Sequence, residues 1–183
     1  GRFRGPHIMP GYWRAPEQTA EVFDEQGFYC SGDAIKLADP HQPQLGLMFD
    51  GRIAEDFKLS SGVFVSVGPL RNRAVLDGSP YVQDLVITAP DRECLGALVF
   101  PRLYECRRLA GLGADASDAE VLGSAPVRQW FGDWLQRLNR EATGNASRLE
   151  WIALLDEPAS IDRGEITDKG SINQRAVLQW RAA

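Results

Sequence analysis

The chain has 183 residues, a formal net charge of −5, 44% hydrophobic and 25% charged residues, which is room for one good core, or one domain plus an attached piece, in a globular composition. The acidic balance, with no Lys/Arg run, argues against a broad nucleic-acid surface, so an anionic ligand would have to be held by a few placed cations. No apolar stretch reaches membrane-spanning length, and no signal peptide is expected.

The chain opens on Gly1-Arg2-Phe3-Arg4-Gly5-Pro6 without an initiator Met, and reads as a piece of something longer. Residues 1 to about 50 are rich in Gly, Pro and turn dipeptides, which suits short strands joined by turns. One helix is expected from Pro16 to Phe23, with proline in its first turn and Glu17 favourable to the N-terminal dipole. Gly51 to Gly62 is charged and polar without a single period, and reads as a connection between two bodies.

From Val63 the texture changes. Val63–Val67 reads as a strand, Leu70–Leu76 as a short helix, and Tyr81–Thr88 and Leu95–Phe100 as β-rich runs around a turn at Ala89-Pro90-Asp91. Leu103–Leu109 reads as helical and Gly111–Gly123 as a loop. A longer helix follows Ser124, with Pro126 in its first turn and Val127, Trp130, Phe131, Trp134, Leu135 and Leu138 on one apolar face. That aromatic stripe reads first as sheet packing and second as a cofactor box. Leu149–Leu155 is a final strand and Ser171–Ala182 a final helix. The sum is an α+β chain: a small β-rich part, then a compact α+β domain from about residue 57.

Three motifs carry chemistry. Asp33 closes a Ser-Gly-Asp turn; it is either a local cap or a carboxylate able to accept both hydroxyls of a ribose. Arg52, after Gly51, is either a surface arginine or a planar fork for ribose and phosphate oxygens. Asp56 is a loop acid or a pivot that absorbs a backbone rotation. Lys169, between Asp168 and Gly170, is a solvated lysine or a mobile cation that neutralises charge when a carboxylate attacks a phosphate. Cys30, Cys94 and Cys106 lack metal-ligand spacing and read as reduced thiols of a cytoplasmic protein. With only His7 and His41 as histidines, no metal site is expected.

Taken in order, the motifs resemble the C-terminal part of the adenylate-forming enzymes: acyl- and aryl-CoA synthetases, luciferases and peptide-synthetase adenylation domains. Gly5-Pro6-His7-Ile8-Met9-Pro10-Gly11-Tyr12 with Pro16-Glu17-Gln18-Thr19, then Phe28 to Asp33, Gly51-Arg52 through Asp56 to Gly62, and Ile166 to Arg175 look like four of its motifs. Two departures stand out. Ile53-Ala54-Glu55 separate Arg52 from Asp56 where the family usually has two residues, which makes Glu55 a rival pivot. Lys169-Gly170-Ser171-Ile172 replaces the family's usual Gly-Lys-Ile. The segments Glu55–Gly62 and Gly164–Asn173 and the Trp-rich helix most resemble the feruloyl-CoA synthetase branch, which acts on aromatic acids.

The resemblance implies an ATP-dependent carboxylic acid–CoA ligase that makes an acyl-AMP and then an acyl-CoA. Residues 1–55 would be the end of a large adenylation domain and 56–183 its mobile C-terminal domain. Asp33 and Arg52 would hold the nucleotide and Lys169 would serve the first step. The small domain would turn about Asp56 or Glu55, and Ser60, Ser61 and Gly62 would border the path of CoA. ATP and CoA are the implied substrates. Mg2+ is implied too, with its ligand outside this chain, as are the phosphate loop and the acyl pocket, so the piece alone is expected to be inactive. Its expected partners are the acid, ATP, CoA and the missing N-terminal adenylation domain, with a second copy in a homo-oligomer left as an open option, and with no nucleic acid and no membrane. Two rival readings stay open: a binding or regulatory module of the same fold, and an adenylating enzyme that loads a carrier protein.

Overall fold

The computed structural model describes residues 1–89 and 92–181; the expected turn at Pro90-Asp91 and the expected helix end at Ala182 lie outside them. The chain divides into two compact units, Gly1–Ala54 and Glu55–Ala183.

The first unit is built from two small antiparallel pairs and one helix. Strand β1 (Arg2–Phe3) pairs with β2 (Tyr29–Cys30), and β3 (Asp33–Leu37) with β4 (Leu47–Arg52). Helix α1 (Pro16–Val22) starts on its proline, as expected. Each two-stranded pair buries little, as ribbons of this size do. Leu47, Met48 and Phe49 of β4 are all exposed, and among the described residues no hydrophobic side chain of this unit belongs to the buried core.

The second unit holds that core. A short hairpin of β5 (Phe57–Lys58) and β6 (Phe64–Val65) leads into helix α2 (Val67–Asp77). The expected strand Val63–Val67 is thus cut short. The Asp56 carboxylate accepts the Val67 N–H at 2.9 Å and caps the first turn of α2, where Ser66 makes no side-chain cap; an acceptor there supplies one of the orphan N–H groups.

Strands β7 (Val82–Thr88), β8 (Leu95–Pro101) and β9 (Leu149–Leu154) form a sheet in the order β7-β8-β9, the first pair antiparallel and the second parallel. All seven residues of β8 are buried. The period of two sends Leu85, Ile87, Leu95, Ala97 and Val99 to one face and Val86, Leu98 and Phe100 to the other. Gly96 faces Trp151 of β9, and a Cβ at 96 would overlap the indole ring.

The first face is covered by α2, α3 (Leu103–Ala110), α4 (Asp118–Gly123) and α5 (Ala125–Arg140). Helix α4 replaces part of the loop expected over Gly111–Gly123: Ser117 and Glu120 form a reciprocal capping box that the small residues around them disguise. On α5, Val127, Phe131, Trp134 and Leu138 are buried, with Trp130 and Leu135 packed beside them. The stripe is packing. The second face carries α6 (Gln174–Arg181), through Val177, with Ile172 and Leu178 alongside. This helix starts three residues later than expected, because Ile172 bridges to Ile166 and holds the preceding segment in a hairpin. No helix among the described residues is long and apolar enough to cross a membrane.

Candidate functional site

In the first unit the functional side chains are set by local turns. Gly11 has φ of 153°, and a Cβ there would come within 2.7 Å of Thr19 Cγ2. This close approach lets the Thr19 hydroxyl accept the Tyr12 N–H at 2.9 Å while donating to the Ala15 carbonyl. Asp24, beyond the end of α1, accepts the N–H groups of Gln26 and Phe28 and turns the chain into β2. The Ser31 hydroxyl then accepts the Asp33 N–H at 3.2 Å, and Gly32 takes φ of 74°.

Those turns deliver four polar side chains to one place. Asp33 faces Arg52 in the β3–β4 register, with carboxylate and guanidinium 2.9 Å apart. Arg52 is about half exposed and Asp33 about a quarter, so the pair remains reachable. Tyr29 shares a hydrogen bond with Tyr12, which together with the nearby Asp33 charge raises the Tyr29 phenol above its ordinary range, while Arg52 pulls the other way. The two tyrosines were not among the site residues expected from sequence. Their signal was present: Tyr12 closes the Gly-Pro-x-x-x-x-Gly-Tyr motif, and Tyr29 stands four residues before Asp33.

The second unit carries the remaining candidates in three places. Glu55 and Asp56 open the unit; Asp56 caps α2, and the Glu55 carbonyl accepts the buried Gln174 side-chain amide at 3.2 Å. Ser60, Ser61 and Gly62 form the exposed tip of the β5–β6 hairpin above the buried Leu59. The Gly62 N–H closes the turn onto the Leu59 carbonyl at 2.8 Å with φ of 80°, which glycine adopts without strain.

Lys169 is exposed in a tight turn of the hairpin 166–172. The Thr167 N–H donates to the Ser171 carbonyl at 2.9 Å, the Gly170 N–H to the Thr167 carbonyl at 2.8 Å, and the two hydroxyls of Thr167 and Ser171 meet at 2.7 Å. At the foot of this hairpin lies Glu165, fully buried and paired with Arg181. The Arg181 guanidinium holds the Glu165 carboxyl below the usual carboxylate range, against the opposing effect of burial. Glu165 was not among the site residues expected from sequence. Among the described residues no group of three or more acids, histidines or cysteines could hold a metal ion.

The α+β architecture matches that of the C-terminal subdomain of adenylation domains, and the chain is similar to the C-terminal region of adenylate-forming enzymes. In particular, the chain is 33% identical over 165 residues to a carboxylic acid reductase of Segniliparus rugosus, covering 89% of this chain and 12% of the reductase. It is 25% identical over 183 residues to a chloroplastic long-chain-fatty-acid–[acyl-carrier-protein] ligase of Arabidopsis thaliana, covering 97% of this chain and 23% of the ligase. Among solved structures, the A-PCP didomain of the Segniliparus reductase in complex with AMP matches 99% of this chain and 23% of its own, with a TM-score of 0.72 at 28% identity. The chain therefore spans less than a quarter of each of these proteins. No protein-family model matches it.

Proposed function

We propose that this chain is the C-terminal part of an ATP-dependent carboxylic acid–thiol ligase, with residues 1–55 ending the large adenylation domain and 56–183 forming its mobile domain. The observation that carries the reading is the facing pair of Asp33 and Arg52 on one ladder, beside Tyr12 and Tyr29. A carboxylate with two acceptor oxygens suits the vicinal hydroxyls of a ribose, and the guanidinium fork suits ribose or phosphate oxygens.

In the first step an oxygen of the acid attacks the α-phosphorus of ATP and pyrophosphate leaves, giving an acyl-AMP. Lys169 stabilises the charge that gathers between carboxylate and phosphate. In the second step a thiol attacks the acyl carbon, loses its proton, and AMP leaves. The unit beginning at Glu55 and Asp56 turns between the steps, one of the two serving as pivot, and brings Ser60-Ser61-Gly62 to the path of the thiol arm. Mg2+, implied by the family resemblance with its ligand outside this chain, would offset phosphate charge. The same reading expects no pyrophosphate release from residues 1–183 alone, and a cytoplasmic setting.

The test is Lys169→Ala in the intact enzyme. Adenylate formation should fall about 10²- to 10³-fold, the scale for removing one preorganised charge-stabilising group, while thioester formation from supplied acyl-AMP persists. Equal losses in the two half-reactions would sink the assignment.

For the acceptor, CoA and an aromatic, feruloyl-type acid remain the reading that the resemblance of segments 55–62 and 164–173 supports. A carrier-protein thiol is the second reading. It is favoured by the A-PCP didomain and the [acyl-carrier-protein] ligase among the relatives. Thioester assays with CoA and with a phosphopantetheinylated carrier, over aryl and alkyl acids, separate the two.

A further inference from the structure

The hairpin that carries Lys169 leaves the chain at Glu165 and returns at Asn173, and both feet meet in one buried node. Arg181 forks onto Glu165, Nε to Oε1 at 2.6 Å and Nη2 to Oε2 at 2.7 Å. The same guanidinium donates to the carbonyls of Glu157 at 2.9 Å and Pro158 at 2.7 Å. The Ser160 N–H donates to Glu165 Oε2 at 2.7 Å, the Glu165 N–H to the Ser160 carbonyl at 2.9 Å, and the Asn173 N–H to the Glu165 carbonyl at 2.8 Å. Three stretches of chain, 157–160, Asn173 and Arg181, are thereby tied to Glu165 directly or through the Arg181 guanidinium.

A buried ion pair is weak evidence of stability, because desolvation consumes most of the attraction and an apolar pair of equal volume serves as well. What the fork adds is direction: two parallel bonds fix the plane of the carboxylate and so the exit angle of the chain. Direction matters here because packing supplies it only in part. Ile172, beside the returning foot, packs on the second core face, but a cavity of about 430 Å³ borders Ile166, Gly170 and Ile172, with Phe100, Leu155 and Pro158 across it, so the hairpin is not wedged against the body along that flank. The hairpin is closed by its own hydrogen bonds, and its tip follows its feet.

We infer that Glu165 and Arg181 are positioning residues for Lys169, aiming the lysine hairpin from a buried two-bond fork at its base. This deepens the proposed function and rests on Lys169 acting in adenylate formation. Neither residue touches the substrate; both set where the ammonium can reach. A misplacement of about 1 Å at a reacting group can cost on the order of 10²-fold in rate.

The experiment measures both half-reactions in the intact enzyme for Glu165→Gln, Arg181→Lys and Lys169→Ala, together with amide exchange in residues 166–172. Glu165→Gln should slow adenylate formation about 10- to 100-fold through kcat, with the KM for ATP little changed and acyl transfer from supplied adenylate within about twofold. Protection of the Thr167, Gly170 and Ser171 amides should drop while that of β7 and β8 stays. Arg181→Lys keeps the charge and loses the fork, and should retain part of the adenylation rate that Arg181→Met loses. Equal slowing of both half-reactions, or unchanged hairpin protection, would overturn the inference. Should Glu165→Gln fail to fold, Arg181→Lys is read instead, and a wild-type adenylation rate in it overturns the inference equally. The underlying reading fails separately: Lys169→Ala would then leave adenylation intact.

Discussion

Asp33 and Arg52 lie directly opposite each other across β3 and β4, carboxylate to guanidinium at 2.9 Å, with about half of the arginine side chain in solvent. An ion pair this exposed contributes at most about 1 kcal/mol to stability, so its removal should be felt in binding rather than in folding. Arg52→Ala is expected to raise the KM for ATP about tenfold or more in the intact enzyme, the scale of one charge-assisted hydrogen bond. The thermal midpoint should scarcely move. A loss of fold with no change in nucleotide affinity would assign the pair to structure.

The Asp56 carboxylate holds the first turn of α2 through the Val67 N–H. Replacing such a cap by alanine costs about 1 kcal/mol, and asparagine restores most of it. Denaturant titration of Asp56→Ala and Asp56→Asn measures this directly. Indistinguishable midpoints would show that the cap is not the group that orders this turn.

Trp134 of α5 is fully buried in the core shared with the sheet, edge-on to Phe131 at 5.8 Å between centroids and stacked over Trp130 at 6.4 Å. Among the described residues its indole N–H finds no hydrogen-bond partner. Trp134→Ala should therefore cost about 3–5 kcal/mol through the cavity it leaves. Trp134→Phe should cost clearly less, because it deletes a buried donor that makes no bond. Equal destabilisation by the two in chemical denaturation would contradict the packing described.

Cys106 is fully buried on α3, and burial pushes its thiol up to about 11, whereas Cys94 is exposed. The thiolate is the reacting form. At pH 8 an alkylating reagent should label Cys94 rapidly and Cys106 only after unfolding, as read by peptide mass spectrometry. Labelling of Cys106 at the rate of Cys94 in the native chain would show that α3 opens locally.

Much of the second unit was legible because its signals are periodic. β7 and β8 alternate between two buried faces, and the spacing from Val127 to Leu138 admits one apolar stripe. Other features depended on partners distant in sequence. The start of α2 moved to Val67 because Asp56, eleven residues back, captures its N–H. The start of α6 moved to Gln174 because Ile172 is engaged by Ile166. The α4 capping box was visible as Ser117-Asp118-Ala119-Glu120 in outline, yet the Gly, Ala and Asp around it carried more weight. At the candidate site, Asp33, Arg52 and Lys169 stood out by motif. Tyr29 beside Tyr12 and the Glu165–Arg181 fork did not, since nothing local distinguishes a buried glutamate from a solvated one.

The pairing of β8 with β9 has no hairpin turn to set its frame, because 47 residues, including three helices, separate Pro101 from Leu149. Gly96 provides the frame instead. The large ring of Trp151 fits only over the one residue of the central strand that lacks a side chain. A slip of one position would turn every β9 residue to the opposite face; a slip of two would drive the indole into Leu98 or past the strand's beginning. A hydrogen atom in place of a methyl thus serves as the alignment key for a connection too long to align itself.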